Sequence, residues 1–168
     1  MNVLVTGGAG FIGTNLIKEL LNNGDSVTSI DNYHSGSEEN HQSGATYHNY
    51  DIRNIKDYSA FGDFNVVYHL AAIARIQPSF VESTDYFETN VNGTFNVINY
   101  CVKHNVPLIY AGSSSHHGGK FKNPYTFTKD MGEELIKKIL KWSPDTPLYY
   151  GIKNTYNWIK EEIKKWMC

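Results

Sequence analysis

Apolar and polar positions along this chain form short β-branched runs that alternate with stretches of helical spacing. Residues 2–6 (Asn-Val-Leu-Val-Thr) read as a buried strand, and Phe11, Ile12, Leu16, Ile17, Leu20 and Leu21 then recur at helical spacing until Gly24 stops the helix. Ser26 to Ile30 reads as a second strand, ending at Asp31. Residues 32–44 are polar and hold Ser35, Gly36 and Ser37, the composition of a loop. The pattern then predicts a strand over 45–49, a short helix near 55–61, a strand over 65–70 and a long helix over 85–104. A fifth strand over 107–110 and a helix from Pro124 complete the series. Strand–helix units of this length imply parallel strands with right-handed crossovers, hence an α/β fold with a doubly wound parallel sheet.

The tail follows another rule. Residues 142–147 hold two prolines and a serine, which suits a turn, and from Leu148 onward Ile152, Tyr156, Ile159, Ile163 and Trp166 recur at steps of four and three. This is the stripe of one amphipathic helix, with Lys153, Lys160 and Lys164 outside it. A terminal helix packed on the core is the expectation; a membrane-surface or partner helix is the alternative. The chain therefore divides at about residue 140, with 141–168 a turn and a C-terminal amphipathic helix.

Charge and composition narrow the function. Fifteen Lys and Arg stand against 17 Asp and Glu, a net charge of −2, so nucleic acid is not an expected partner. No apolar run approaches the ~20 residues needed to span a bilayer. The N-terminus lacks the basic start and long apolar stretch of a signal peptide. Two cysteines, Cys101 and Cys168, make no disulfide framework, and a cytoplasmic location is expected.

Gly7, Gly10 and Gly13 form G-x-x-G-x-x-G directly after a strand and at the start of a helix. The first glycine permits a tight turn, the second lets a pyrophosphate approach the backbone, and the third lets helix and strand pack closely. Unpaired N–H groups and the helix dipole then face the phosphates. A purely structural turn is the alternative, but the strand, the helix and an acid ending the second strand favour dinucleotide binding. Asp31 can accept both ribose hydroxyls and repels a 2′-phosphate, and no Arg follows it in residues 32–36. NAD is preferred over NADP.

Tyr and Lys four apart share a helix face, and a nearby ammonium favours the phenolate a base requires. Three such pairs occur: Tyr125 with Lys129, Tyr149 with Lys153, and Tyr156 with Lys160. Tyr156 falls on the final apolar stripe and Tyr149 just precedes it, whereas Tyr125 opens the helix after the fifth strand and its serine cluster. Tyr125 and Lys129 are the expected catalytic pair. His116 and His117 are adjacent in a loop without a nearby Cys or carboxylate, so no metal site is expected. His69 is expected to be a hydrogen-bonded strand-end residue.

Thr6-Gly-Gly-Ala-Gly-Phe-Ile-Gly13 resembles the opening of the extended short-chain dehydrogenase/reductases, the NAD-dependent epimerase/dehydratase family. The resemblance continues through Asp31-Asn32, Asp51-Ile52-Arg53, residues 69–72 (His-Leu-Ala-Ala), residues 90–94 (Asn-Val-Asn-Gly-Thr), Ser113-Ser-Ser115 and residues 124–129 (Pro-Tyr-Thr-Phe-Thr-Lys). It is strongest to UDP-galactose 4-epimerases and similar nucleotide-sugar epimerases, and it implies a Rossmann-type fold. It also implies NAD contacts from Gly7, Gly10, Phe11, Ile12, Gly13, Asp31, Asn32, Ser35 and Gly36. Asp51 and Ile52 would lie against the adenine, the Asp accepting from its amino group. Leu70, Ala71 and Ala72 would line the cleft, and Asn90 would contact the cofactor or support the lysine. Ser113 is the implied catalytic hydroxyl, with Ser114 and Ser115 as lesser candidates. Tyr125 would take a proton from a sugar hydroxyl, and Lys129 would hold the nicotinamide ribose while the adjacent carbon passes hydride to NAD. No carboxylate flanks the serines, which disfavours dehydration.

The chain departs from the family in length. Residues 142–158 resemble the family's extreme C-terminus, as though the middle, with its substrate-binding domain, were deleted. A nucleotide-sugar epimerase is expected, with a catalytically impaired NAD-binding remnant acting as an interaction module as the alternative. The fifth strand would be a sheet edge unless the tail or another subunit covers it, and a homodimer is expected.

Overall fold

The computed structural model describes residues 1–119 and 121–166. Its core is a parallel five-stranded sheet in the order β3-β2-β1-β4-β5. The strands are β1 (Asn2–Thr6), β2 (Ser26–Asp31), β3 (Thr46–Asn49), β4 (Val66–His69) and β5 (Leu108–Tyr110). The central strand β1 is covered on both faces, which is why its apolar run does not alternate. Val3 and Val5 pack with Ile17 and Leu20 of α1 (Phe11–Asn22), whereas Leu4 packs with Val97, Tyr100 and Cys101 of α4 (Thr94–His104) on the other side. Strand order reverses between β1 and β4, so the crevice at their carboxyl ends is where such a sheet receives a ligand.

The expected long helix is present but interrupted. Between α3 (Ser83–Phe87) and α4, residues Glu88–Gly93 form a wider π-helical turn in which Thr89, Asn90, Val91 and Gly93 are all buried. A π turn carries extra residues per turn and so faces more side chains inward than α-helical spacing allows. The expected helix at 55–61 is a single 3₁₀ turn, Tyr58–Phe61, and a short α2 (Ile76–Ser79) was not foreseen. Helix α5 (Pro124–Ile139) starts where local chemistry dictates: Asn123 Oδ1 caps the Thr126 N–H at 2.8 Å, and Pro124 occupies the first helical position.

The expectation for the tail is corrected. Helix α6 (Leu148–Trp166) forms, but the part of its stripe whose side chains are described does not pack on the core: Ile152, Tyr156 and Ile159 are 62%, 59% and 42% exposed. Ile163 and Trp166 lie outside the residues whose side chains are described, and Cys168 lies outside the described residues. Amphipathic spacing specifies an apolar face and not the surface that covers it. Beyond β5 no further strand pairs among the described residues, and Ile109 on that edge is 46% exposed. Among the described residues no helix is long and apolar enough to cross a membrane.

Candidate functional site

The turn from β1 to α1 is built by close approach. Gly7 adopts φ +77°, and a Cβ there would lie 2.7 Å from Ala71 N. A Cβ on Gly13 would lie 2.3 Å from Gly7 O, so only glycine lets α1 start this near the strand. The first helical bond runs from Thr14 N to Gly10 O, and α1 has neither a side-chain cap nor an acid in its first turn. The Phe11 and Ile12 N–H groups therefore precede the hydrogen-bonded ladder and point along the positive end of the helix dipole.

Asp31 closes one end of the crevice. Its Oδ2 accepts the Ala9 N–H of the glycine turn at 3.0 Å and its Oδ1 accepts the Tyr33 N–H at 2.8 Å. The loop beyond it folds back onto the turn, with Gly36 against Ala9 and Asn40 Nδ2 donating to Ala9 O at 2.7 Å.

A cavity of about 350 Å³ runs from this end along the carboxyl edge of the sheet. Gly7, Gly10, Phe11, Ile12, Gly13, Asp31, Asn32, Ser35, Ile52, Leu70, Ala71 and Ala72, all expected from the sequence, line it. Gly36, Asp51, Asn90, Tyr125 and Lys129, also expected from the sequence to meet the cofactor, do not. The Asp51 carboxylate is turned to Arg53, whose Nε and Nη2 donate at 2.9 and 2.7 Å, and to Asn32 Nδ2 at 2.9 Å. Burial opposes its charge, but these bonds prevail and hold the carboxyl below its ordinary range. Asn90 is 1% exposed, and its amide spans Ile73 N and O and Thr128 Oγ1, fastening the cavity wall to α5.

Sequence reasoning missed Tyr50 and Thr89. Tyr50 follows β3 immediately, at the carboxyl end where ligands bind, which is the signal that could have found it. Thr89 lines the cavity from the π turn, and its buried hydroxyl has no hydrogen-bond partner among the described residues. Only its position beside Asn90 hinted at a role.

None of Ser113, Tyr125 and Lys129 lines this cavity, but they gather beside its lining residue Ala111. Ser113 Oγ lies 3.4 Å from Tyr125 OH and 2.8 Å from Ser115 Oγ. Ser113 and Ser114 both line a separate cavity beside β5. Lys129 is 5% exposed; its Nζ donates to the carbonyl of Ala111, a cavity residue, at 2.8 Å and lies 4.4 Å from the Tyr110 ring centroid. Burial pulls Lys129 down to about 8 against an opposing pull from Glu133. Beneath it, the His69 ring nitrogens meet Thr6 Oγ1 at 2.6 Å and Thr94 Oγ1 at 2.9 Å, as a satisfied strand-end histidine should. Of the other Tyr–Lys pairs, Tyr149 and Tyr156 are exposed on α6, and Lys160 rests over the Tyr156 ring. The side chain of His116 lies outside the described residues.

These features fit a nicotinamide dinucleotide: a glycine cradle closed to any Cβ, helix-end donors with no competing acid, and a carboxylate at the far end of the crevice. Comparison with known proteins agrees. Residues 3–141 match the model of the NAD-dependent epimerase/dehydratase family. Bifunctional UDP-glucose 4-epimerase and UDP-xylose 4-epimerase 1 of Pisum sativum is 31% identical over 170 residues, covering 85% of this chain and 49% of its own. UDP-N-acetyl-alpha-D-glucosaminuronate decarboxylase of Bacillus cytotoxicus is 33% identical over 144 residues, covering 83% and 44%. The UDP-glucose 4-epimerase of Thermotoga maritima, solved with UDP-glucose, superimposes with a TM-score of 0.77 at 27% identity, over 84% of this chain and 52% of its own. That of Thermus thermophilus, solved with NAD, gives 0.75 at 27%, over 84% and 51%. The chain thus spans about half the length of the relatives it matches. Family model, relatives and sheet topology agree, and the chain belongs to the NAD-dependent epimerase/dehydratase family.

Proposed function

We propose that this chain binds NAD and carries the proton-transfer half of a nucleotide-sugar epimerase. The observation that supports this most directly is the approach of Ser113 Oγ to Tyr125 OH, 3.4 Å, with Lys129 of the same group bonded to Ala111, which lines the cavity that Asp31 also lines. The Gly7–Gly13 turn and the Phe11 and Ile12 amides receive the pyrophosphate, and Asp31 accepts the adenosine ribose hydroxyls. Ile52 and Tyr50 border the adenine end, and Leu70–Ala72 leave room along the crevice. NAD, when bound, supplies the hydride acceptor.

Tyr125 takes the proton of a sugar hydroxyl, and Ser113 shares that hydrogen bond. An ammonium has three donors and the Ala111 carbonyl uses one, so Lys129 keeps donors for the ribose. A second reading rests on the β5 edge, which no further strand covers among the described residues: a chain that binds NAD, is catalytically impaired and serves as an interaction module.

A panel of UDP-, GDP- and dTDP-sugars, assayed for C4 inversion and NADH absorbance with calorimetry against NAD and NADP, tests both readings. The epimerase reading expects NAD to bind more tightly than NADP, and turnover of a UDP-sugar that Tyr125→Phe abolishes without loss of NAD binding. NAD binding with no turnover supports the second reading, and tighter binding of NADP refutes both.

A further inference from the structure

Glu133 contacts the candidate catalytic group through the Ser113 main chain. It stands on α5 one turn beyond Lys129 and two beyond Tyr125, positions that share a helix face. Its Oε1 accepts the Ser113 N–H at 2.9 Å, bridging 20 residues of chain from the loop after β5 to the helix. The fit is close: a Cβ on Gly112 would lie 3.1 Å from the same oxygen, so a side chain at that position would press on the carboxylate.

Lys129 lies buried within this arrangement. Burial draws its ammonium toward neutrality, and the Glu133 charge opposes that pull. Asp130, a second carboxylate on α5, follows Lys129 in sequence. His69 of β4 is kept neutral by burial, Tyr110 of β5 is a phenol pushed above its ordinary range by burial, and Tyr125 precedes it on its own helix.

We propose that Glu133 is a positioning residue for the Ser113–Tyr125–Lys129 group: its carboxylate pins the Ser113 amide to the helix carrying the other two and presents a negative charge one turn from the lysine. This rests on the roles given to those three residues above. Without the pin, the Ser113 hydroxyl loses its fixed station opposite Tyr125. Without the charge, Lys129 loses its proton at a lower pH.

Two conservative variants of the whole chain separate the pin from the charge. Glu133→Gln keeps an acceptor for the Ser113 amide and removes the charge, so the Lys129 midpoint, followed by NMR of its side-chain nitrogen, falls by roughly half to one pH unit. Glu133→Asp keeps the charge and shortens the reach, so hydrogen exchange at the Ser113 amide speeds up about tenfold while the Lys129 midpoint moves less than in Glu133→Gln. An unmoved Lys129 midpoint in Glu133→Gln, or unchanged Ser113 exchange in Glu133→Asp, overturns the proposal. Failure of the unmodified chain to bind NAD would instead overturn the function proposed above, and both of these readouts would remain measurable.

Discussion

Replacing Asn90 by Ala tests how the cavity wall is held. The Asn90 Oδ1 accepts the Ile73 N–H at 2.8 Å, and Nδ2 donates to Ile73 O at 3.0 Å and to Thr128 Oγ1 at 3.2 Å. Asn90 and Ile73 are 1% and 8% exposed, so truncation leaves both main-chain groups of Ile73 buried without their partner. Each stranded group costs about 1–3 kcal/mol. Thr128 is not stranded, because its hydroxyl also donates to Tyr125 O at 3.0 Å. Two groups at the lower half of that range, with some relief from water entering the vacated space, give about 3 kcal/mol. For a domain of this size that is a fall in Tm of roughly 6–12 °C. Thermal unfolding followed by circular dichroism, with urea titration to check an unchanged slope, measures it. Asn90→Asp keeps the acceptor for Ile73 N but sets a buried carboxylate oxygen against Ile73 O, and should destabilise at least as much. A loss below about 1 kcal/mol in Asn90→Ala would refute the claim that this amide fastens the wall to α5.

Other outcomes follow from the same contacts. Gly13→Ala places a Cβ 2.3 Å from Gly7 O and 2.6 Å from Gly8 Cα, main-chain atoms that cannot swing aside. It should cost about 1–3 kcal/mol and weaken NAD in calorimetry; an unchanged Tm would refute the crowding. Burial, reinforced by the Lys129 charge, pushes His69 down to about 3. Below about pH 6.5 the unfolded chain therefore takes up a proton that the folded chain refuses, and stability drops by up to about 1.4 kcal/mol per pH unit as acid is added. His69→Gln should flatten that slope between about pH 6 and pH 4 in urea titrations, and an identical slope would show that His69 already titrates normally in the folded chain.

What the sequence determined by itself is local or periodic. The unbroken apolar run of β1 announces a strand buried on both faces, and the alternation of runs and helices gives the parallel sheet. Gly7, Gly10 and Gly13 are legible because a strand-to-helix turn needs glycine at fixed steps, and Asp31 because it ends the neighbouring strand. That Tyr125 and Lys129 share a helix face is legible from their spacing, but Tyr149 with Lys153 and Tyr156 with Lys160 have the same spacing, and only the place of Tyr125 after the fifth strand sets the first pair apart.

Tertiary structure decided the rest. Asn90 reaches partners 17 and 38 residues away, and Glu133 one 20 away; no window of sequence contains such pairs. Asp51 turned to Arg53 and Asn32 because four donors, three on Arg53 and one 19 residues away on Asn32, converge on its carboxylate, which the residue's identity alone does not reveal. The stripe on α6 was read correctly as a helix, but Ile152, Tyr156 and Ile159 are exposed where burial was expected, because periodicity describes a single helix and burial depends on what stands opposite.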